Sequence, residues 1–285
     1  MKYDIHGIFI LDKPIGVSSN QALQSVKRLF QAKKAGHTGS LDPLATGMLP
    51  ICFGEATKYS QHLLDADKCY DVTAVLGLRT DTGDSEGQVI SERALSITRE
   101  TLLQMLPKFT GVLDQTPPMY SALKHHGKPL YEYARQGQSI ERASRQVTIY
   151  TLDLLGFNKN IVDGRDRVSL RVSCSKGTYI RSLIDDMGEY LECGAHVIAL
   201  RRLWVHPFQH FFMMSLNTLE SINHRSAHLL PVDQALSCWP IVCLDDDEVK
   251  RLLRGADFNV LEMEGWARFL YKKRSVFRCC ARIAG

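Results

Sequence analysis

A chain of 285 residues, 45% hydrophobic and 23% charged, is long enough to bury one sizeable core and has an ordinary globular balance, which argues against disorder. No apolar run approaches the ~18 residues that cross a bilayer, and Met1-Lys2-Tyr3-Asp4 lacks the order of a signal peptide, so a cytoplasmic protein without membrane contact is expected. A net charge of +4 permits a polyanionic partner without requiring one.

In chain order, Ile8, Phe9, Ile10 and Leu11 predict a short strand, and Pro14 and Gly16 predict a turn after it. A helix should follow, capped by Ser18 or Ser19, with Ala22, Leu23, Val26, Leu29 and Phe30 at helical spacing. Between residues 36 and 54, four glycines with Pro43 and Pro50 predict an irregular loop that carries one acid, Asp42. Alternation at Tyr70, Val72, Ala74 and Leu76 predicts a strand, and the turn-rich 80–87 leads to another near 88–91. Residues 98–109 read as a helix, Pro117-Pro118 enforces an extended segment leading into Tyr120, and 130–136 reads as a short helix. Strands are expected at 147–155, 168–174 and 197–200. Ile180, Leu183, Ile184, Met187 and Leu191 mark the clearest helix, stopped at Gly194.

These elements predict an α+β domain whose mixed, largely antiparallel sheet is flanked by helices and loops. The pattern changes near Leu230-Pro231, so residues 1–235 are expected to form the main domain and 236–285 a small C-terminal β module.

Basic residues cluster at Lys27, Arg28, Lys33 and Lys34, at Lys124, His125, His126 and Lys128, and at Arg201 and Arg202. Arg268, Lys272, Lys273, Arg274, Arg278 and Arg282 add a basic tail without acids. Each cluster fits a solvated face; together they point toward nucleic acid. The eight cysteines show no Cys-x-x-Cys spacing and read as reduced thiols, so no metal is expected.

The stretch Gly36-His37-Thr38-Gly39-Ser40-Leu41-Asp42-Pro43-Leu44-Ala45-Thr46-Gly47 places a carboxylate and a histidine in a glycine-flanked loop. Such a carboxylate is a candidate nucleophile or base. A loop Asp that hydrogen-bonds its own turn has the same spacing, and spacing alone does not separate the two. The stretch closely resembles the catalytic signature of the TruB pseudouridine synthases. Leu11-Asp12-Lys13-Pro14, Asp67-Lys68-Cys69-Tyr70, Ser121-Ala122-Leu123-Lys124, Lys176-Gly177-Thr178-Tyr179-Ile180-Arg181 and Leu200-Arg201-Arg202-Leu203 resemble further family motifs in the same order, over residues 7–208.

The resemblance implies isomerisation of uridine 55 to pseudouridine in the tRNA T-loop, with the base flipped and the C1′–N1 bond exchanged for C1′–C5. No redox change or lost group is involved, so no cofactor is expected. Asp42 is implied to be the catalytic carboxylate, Arg181 its ion-pair partner, and Tyr70 a stacking residue that assists at C5. His37, Tyr179 and Leu200 are implied to contact the flipped nucleotide, and Lys13 to support the pocket. A two-pronged Arg181 pair would hold Asp42 ionised. The resemblance also implies a PUA-like RNA-binding role for the C-terminal module, here short or incomplete. A monomer that binds the tRNA T-loop and elbow without an obligatory protein partner is expected. Two other functions fit the same residues: a tRNA-binding protein that refolds the elbow, and a nucleoside hydrolase, which would need a second carboxylate near Asp42 to activate water.

Overall fold

The computed structural model describes residues 2–159 and 165–254, together with the strand segments Gly265–Trp266, Arg268–Tyr271, Arg274–Ser275 and Arg282–Ile283. Among the described residues, nine strands join in one sheet: β1 Gly7–Lys13, β2 Ala35–His37, β3 Ala45–Phe53, β4 Lys68–Leu76, β5 Gly111–Gln115, β6 Arg145–Asn158, β7 Arg167–Cys174, β8 Ala195–Val205 and β9 Met214–Ser215. Their spatial order is β9-β1-β3-β8-β4-β7-β6-β5, with β2 added against β3. Only β1 with β9 and β3 with β8 run parallel, so the sheet is mixed and largely antiparallel, as expected.

The two halves of the sheet bury different faces. In β4, β7 and β8 one face packs against the helices Arg99–Met105 and Ile180–Tyr190, where Val72, Leu170, Leu102, Leu183 and Met187 form a core with Tyr70 and Leu200 at its edge. β1 and β3 are covered on both faces. Phe9, Leu11, Leu49 and Ile51 meet the helix Ser19–Leu29, while Ile8, Ile10, Met48 and Cys52 meet Val205, Phe208 and Val232.

That double covering corrects the expected loop at 36–54. Only residues 38–44 are irregular, and Ala45–Phe53 is a central strand. A strand buried on both faces needs no alternation, so its apolar run carries no period-two signal. Gly47, at φ +99°, lies where the parallel strand approaches closely: a Cβ there would stand 2.2 Å from the Arg202 carbonyl oxygen. The helix expected over 98–109 is α-helical at Arg99–Met105 and tightens to a 3₁₀ turn at Leu106–Phe109, with Pro107 inside it.

The segment expected as a C-terminal β module contains the strand Ile241–Cys243 and the helix Asp246–Leu253. Ile241–Cys243 pairs in parallel with Arg268–Tyr271, which in turn pairs with Arg274–Ser275. Lys272, Lys273 and Arg278, like Cys279 and Cys280, lie outside the described residues.

Candidate active site

Residues 38–44 link β2 to β3, and buried polar groups of the preceding segment hold them. Ser18 caps the N-terminal helix in a capping box with Gln21, which leaves the buried Ser19 hydroxyl free to accept from Leu41 N (2.7 Å) and donate to Leu41 O (3.0 Å). Lys13 is fully buried. Its ammonium donates to the carbonyls of Pro14 (2.9 Å) and Val17 (2.7 Å), with Pro43 at 3.5 Å. Burial lowers its pKa to about 8, and the nearby Asp42 charge opposes that fall. The loop carrying Asp42 is thus fixed by two buried groups that precede it in sequence, Lys13 and Ser19.

Asp42 lies in a cavity of about 550 Å³ together with Tyr70, Tyr179, Arg181, Leu200 and Arg202. Its carboxylate accepts from Arg181 Nε at 2.9 Å, and its side chain keeps 39% exposure while that of Arg181 keeps 5%. Arg181 sits in the first turn of Ile180–Tyr190, where a cation is poorly placed for the helix dipole and needs external acceptors. It finds four. Besides Asp42, Nη1 donates to Thr82 O (2.8 Å) and faces Asp84 Oδ2 (3.5 Å), and Nη2 donates to Tyr120 O (2.7 Å).

The two-pronged pair is therefore corrected: one nitrogen serves Asp42 and the rest of the fork is held by a buried frame. The expected pKa direction is corrected as well. Burial pushes the Asp42 carboxyl above the usual carboxylate range; Arg181 pulls it down, Asp84 adds to the rise, and burial prevails.

Tyr70 comes from β4 and Leu200 from β8, and their strands pair so that Leu200 stands opposite Val72. Both are buried at the cavity wall. Burial raises the Tyr70 phenol pKa, with the adjacent Arg202 opposing, so the ring is neutral. Tyr179 caps the start of Ile180–Tyr190, and its ring lies 5.2 Å from the Arg145 guanidinium. His37 stands on β2, half-buried and outside the residues that line the cavity. Burial and Arg202 lower its pKa, which favours the neutral imidazole.

Three members of the site were not singled out from sequence. Lys68 lines the cavity, donates to the carbonyls of Leu64 (3.1 Å) and Ala66, and has its pKa lowered to about 8 by burial. Arg202, only 1% exposed, donates to Met48 O (2.7 Å) and Gly39 O (3.0 Å). Asp84 is buried behind Arg181 and accepts from the Thr82 hydroxyl (2.6 Å) and Glu86 N (3.1 Å). Lys68 and Arg202 lie inside quoted motifs, but Asp84 reads as one polar residue of a turn. With Arg145 and Lys176 also lining it, the cavity joins aromatic and aliphatic walls to a cationic rim, the composition suited to a flipped base and its phosphates.

Mixed sheet, cleft and carboxylate–guanidinium floor together define an enzyme of the pseudouridylate synthase class. Residues 27–180 match the family described as TruB family pseudouridylate synthase (N terminal domain), and residues 181–237 match that described as tRNA pseudouridylate synthase B C-terminal domain. The chain belongs to the TruB family. It is similar to the tRNA pseudouridine synthase B of Ralstonia pickettii (strain 12J), at 56% identity over 254 residues, 88% of this chain and 79% of the relative. It is also similar to that of Mannheimia succiniciproducens, at 50% identity over 289 residues, 98% and 92% of the two chains. A crystal structure of a Cbf5-Nop10-Gar1 complex contains a chain that superposes with a TM-score of 0.70 at 26% identity, covering 94% of this chain and 75% of that one.

Proposed function

We infer that this chain isomerises uridine to pseudouridine in tRNA, and that its target is uridine 55 of the T-loop. The observation that carries this reading is the Asp42 carboxylate, held by a buried guanidinium at the floor of a cavity walled by Tyr70, Tyr179 and Leu200. Membership of the family and the names of the tRNA-modifying relatives support it.

In this account the flipped uridine enters with its ribose toward Asp42. The carboxylate acts as the base or nucleophile of the rearrangement, the C1′–N1 bond breaks, the uracil turns, and C5 bonds to C1′. The C5 proton is lost and N1 gains one, so atoms balance without a cofactor. Tyr70 stacks on the base and, being neutral, relays the C5 proton rather than holding a standing phenolate. Tyr179 and Leu200 confine the ring so that it turns in place. Lys13 supports the loop, and His37, set back on β2, contacts the RNA beside the flipped nucleotide. The protein acts in the cytoplasm.

A hydrolase would need a second carboxylate positioned to activate water. Asp84, the carboxylate that shares Arg181 with Asp42, is buried behind the guanidinium and absent from the cavity lining. Asp65 does line the cavity, but it is exposed and paired with Lys176 Nζ at 3.3 Å rather than with the Asp42–Arg181 centre. Both placements favour retention of the uracil. Incubating a uridine-55 tRNA transcript with the protein and digesting it to nucleosides separates the two. Pseudouridine with no free uracil is expected, and none from a transcript whose position 55 is cytidine; release of uracil would overturn the reading.

A further inference from the structure

Pro117-Pro118 follows β5, and a segment without N–H donors cannot continue a sheet. The chain leaves the edge at this point and runs along the first turn of Ile180–Tyr190, to which residues 115–120 present polar groups at three places. The Gln115 side chain accepts from Tyr179 N (2.7 Å) and donates to Tyr179 O (3.0 Å). The Thr116 carbonyl lies 3.4 Å from the Ser182 hydroxyl, and the Tyr120 carbonyl accepts from Arg181 Nη2 (2.7 Å).

Gln115 is 3% exposed. Burying an amide is unfavourable unless its groups are paired, and Gln115 spends both hydrogen bonds on one residue's backbone. That residue is the helix cap Tyr179, in extended conformation (φ −99°, ψ 111°) and without a side-chain capping bond. Arg145, the cross-strand partner of Gln115 in the register of β6 and β5, lies against the Tyr179 ring and donates to the Gly177 carbonyl. One cross-strand pair therefore grips Tyr179 by backbone and by ring.

We propose that Gln115 is a positioning residue for the isomerisation: with residues 116–120 it splints the start of Ile180–Tyr190, aiming the Tyr179 ring into the cavity and Arg181 Nε at Asp42. This rests on the reading of the site given above. An apolar side chain of the same length would fill the space and leave the direction of the helix entry unset.

The test is the single-turnover rate of pseudouridine formation, measured beside tRNA affinity from pH 8 to about 5.5, for wild type, Gln115→Met and Gln115→Glu. Gln115→Met should slow the rate about ten- to a hundredfold, as small misplacements do, with affinity unchanged within about twofold. Gln115→Glu carries the sharper signature. As a carboxylate it accepts from Tyr179 N but repels Tyr179 O; once protonated it donates and accepts as the amide does. Burial raises its pKa, so its rate relative to wild type should be low at pH 8 and recover as pH falls. A flat ratio, a rate within twofold of wild type in both variants, or rate and affinity falling together would each overturn the proposal while leaving the functional reading intact. Absence of pseudouridine from the wild-type reaction would overturn both.

Discussion

Two arginine–aspartate pairs in this protein show how little ion-pair geometry alone says about function. Arg171 and Asp71, opposite one another on β7 and β4, make a fork of two bonds at 2.7 and 2.8 Å. Arg181 gives Asp42 one bond at 2.9 Å. The better fork belongs to the outer pair, whose side chains are 46% and 32% exposed, where water and salt screen the attraction. In the inner pair the guanidinium is buried and spread over Asp42, Asp84 and two carbonyls. Its position is determined by the whole frame, and the frame leaves the Asp42 carboxylate facing a cavity. Burial and shared acceptors distinguish the candidate chemistry from surface decoration.

The largest difference between the regions should appear at Asp42. Asp42→Asn keeps the shape and removes the charge, so isomerisation should fall by more than about a thousandfold while tRNA affinity is retained. Arg181 comes next. Arg181→Met leaves Asp42 and the buried Asp84 without their counter-charge, and uncompensated buried charge costs about 3–5 kcal/mol, so both rate and melting temperature should drop. Arg181→Lys restores the charge but cannot serve four acceptors arranged around a planar fork. Single-turnover rates should rank wild type, then Lys, then Met; a lysine variant as fast as wild type would show that positive charge suffices without the frame.

A smaller effect follows from the raised Asp42 pKa. If the carboxylate of Asp42 is the reacting form, as proposed above, the rate should fall on the acid side at a pH above the ordinary aspartate value of about 3.9. For stability the sign is opposite to that of an ordinary paired carboxylate. A group whose folded pKa is raised binds its proton more tightly when folded, so ionised Asp42 weakens the fold above that pKa, and the cost fades as pH falls through it. Asp42→Asn should therefore melt above wild type at neutral pH, with the gap closing in acid. Thermal scans across pH would refute this if the variant melted lower throughout.

Much of the inner region was legible in the sequence and some of it was not, for physical reasons. Glycines and Pro43 announced a shaped loop around Asp42, and the stripe from Ile180 to Leu191 announced the helix that begins beside Tyr179 and carries Arg181. The extent of the loop was overread, because β3 is buried on both faces and shows no alternation. Asp84 was invisible because its role arises only when the 80–87 turn packs against a helix almost a hundred residues later. Gln115 was invisible for the same reason, since nothing local marks a glutamine that binds the backbone of Tyr179. Arg181 could be named from its motif, but its burial and the division of its fork among four acceptors come from tertiary packing.

The smallest effect belongs to the outer pair. Asp71→Asn or Arg171→Gln should change stability by no more than about 1 kcal/mol, less at high salt, and leave the single-turnover rate within twofold. A rate loss comparable to that of the Arg181 variants would erase the contrast drawn between the two regions.

The central claim, that Asp42 carries the uridine-to-pseudouridine chemistry, is tested most directly by tritium release from tRNA labelled at uridine C5, comparing wild type with Asp42→Asn at saturating enzyme. Forming the C5–C1′ bond expels the C5 hydrogen, so wild type should release one equivalent of tritium per tRNA. The variant should release none above background while still binding the same tRNA. Tritium release by the folded, tRNA-bound variant at a rate near wild type would place the chemistry on another group and contradict the account.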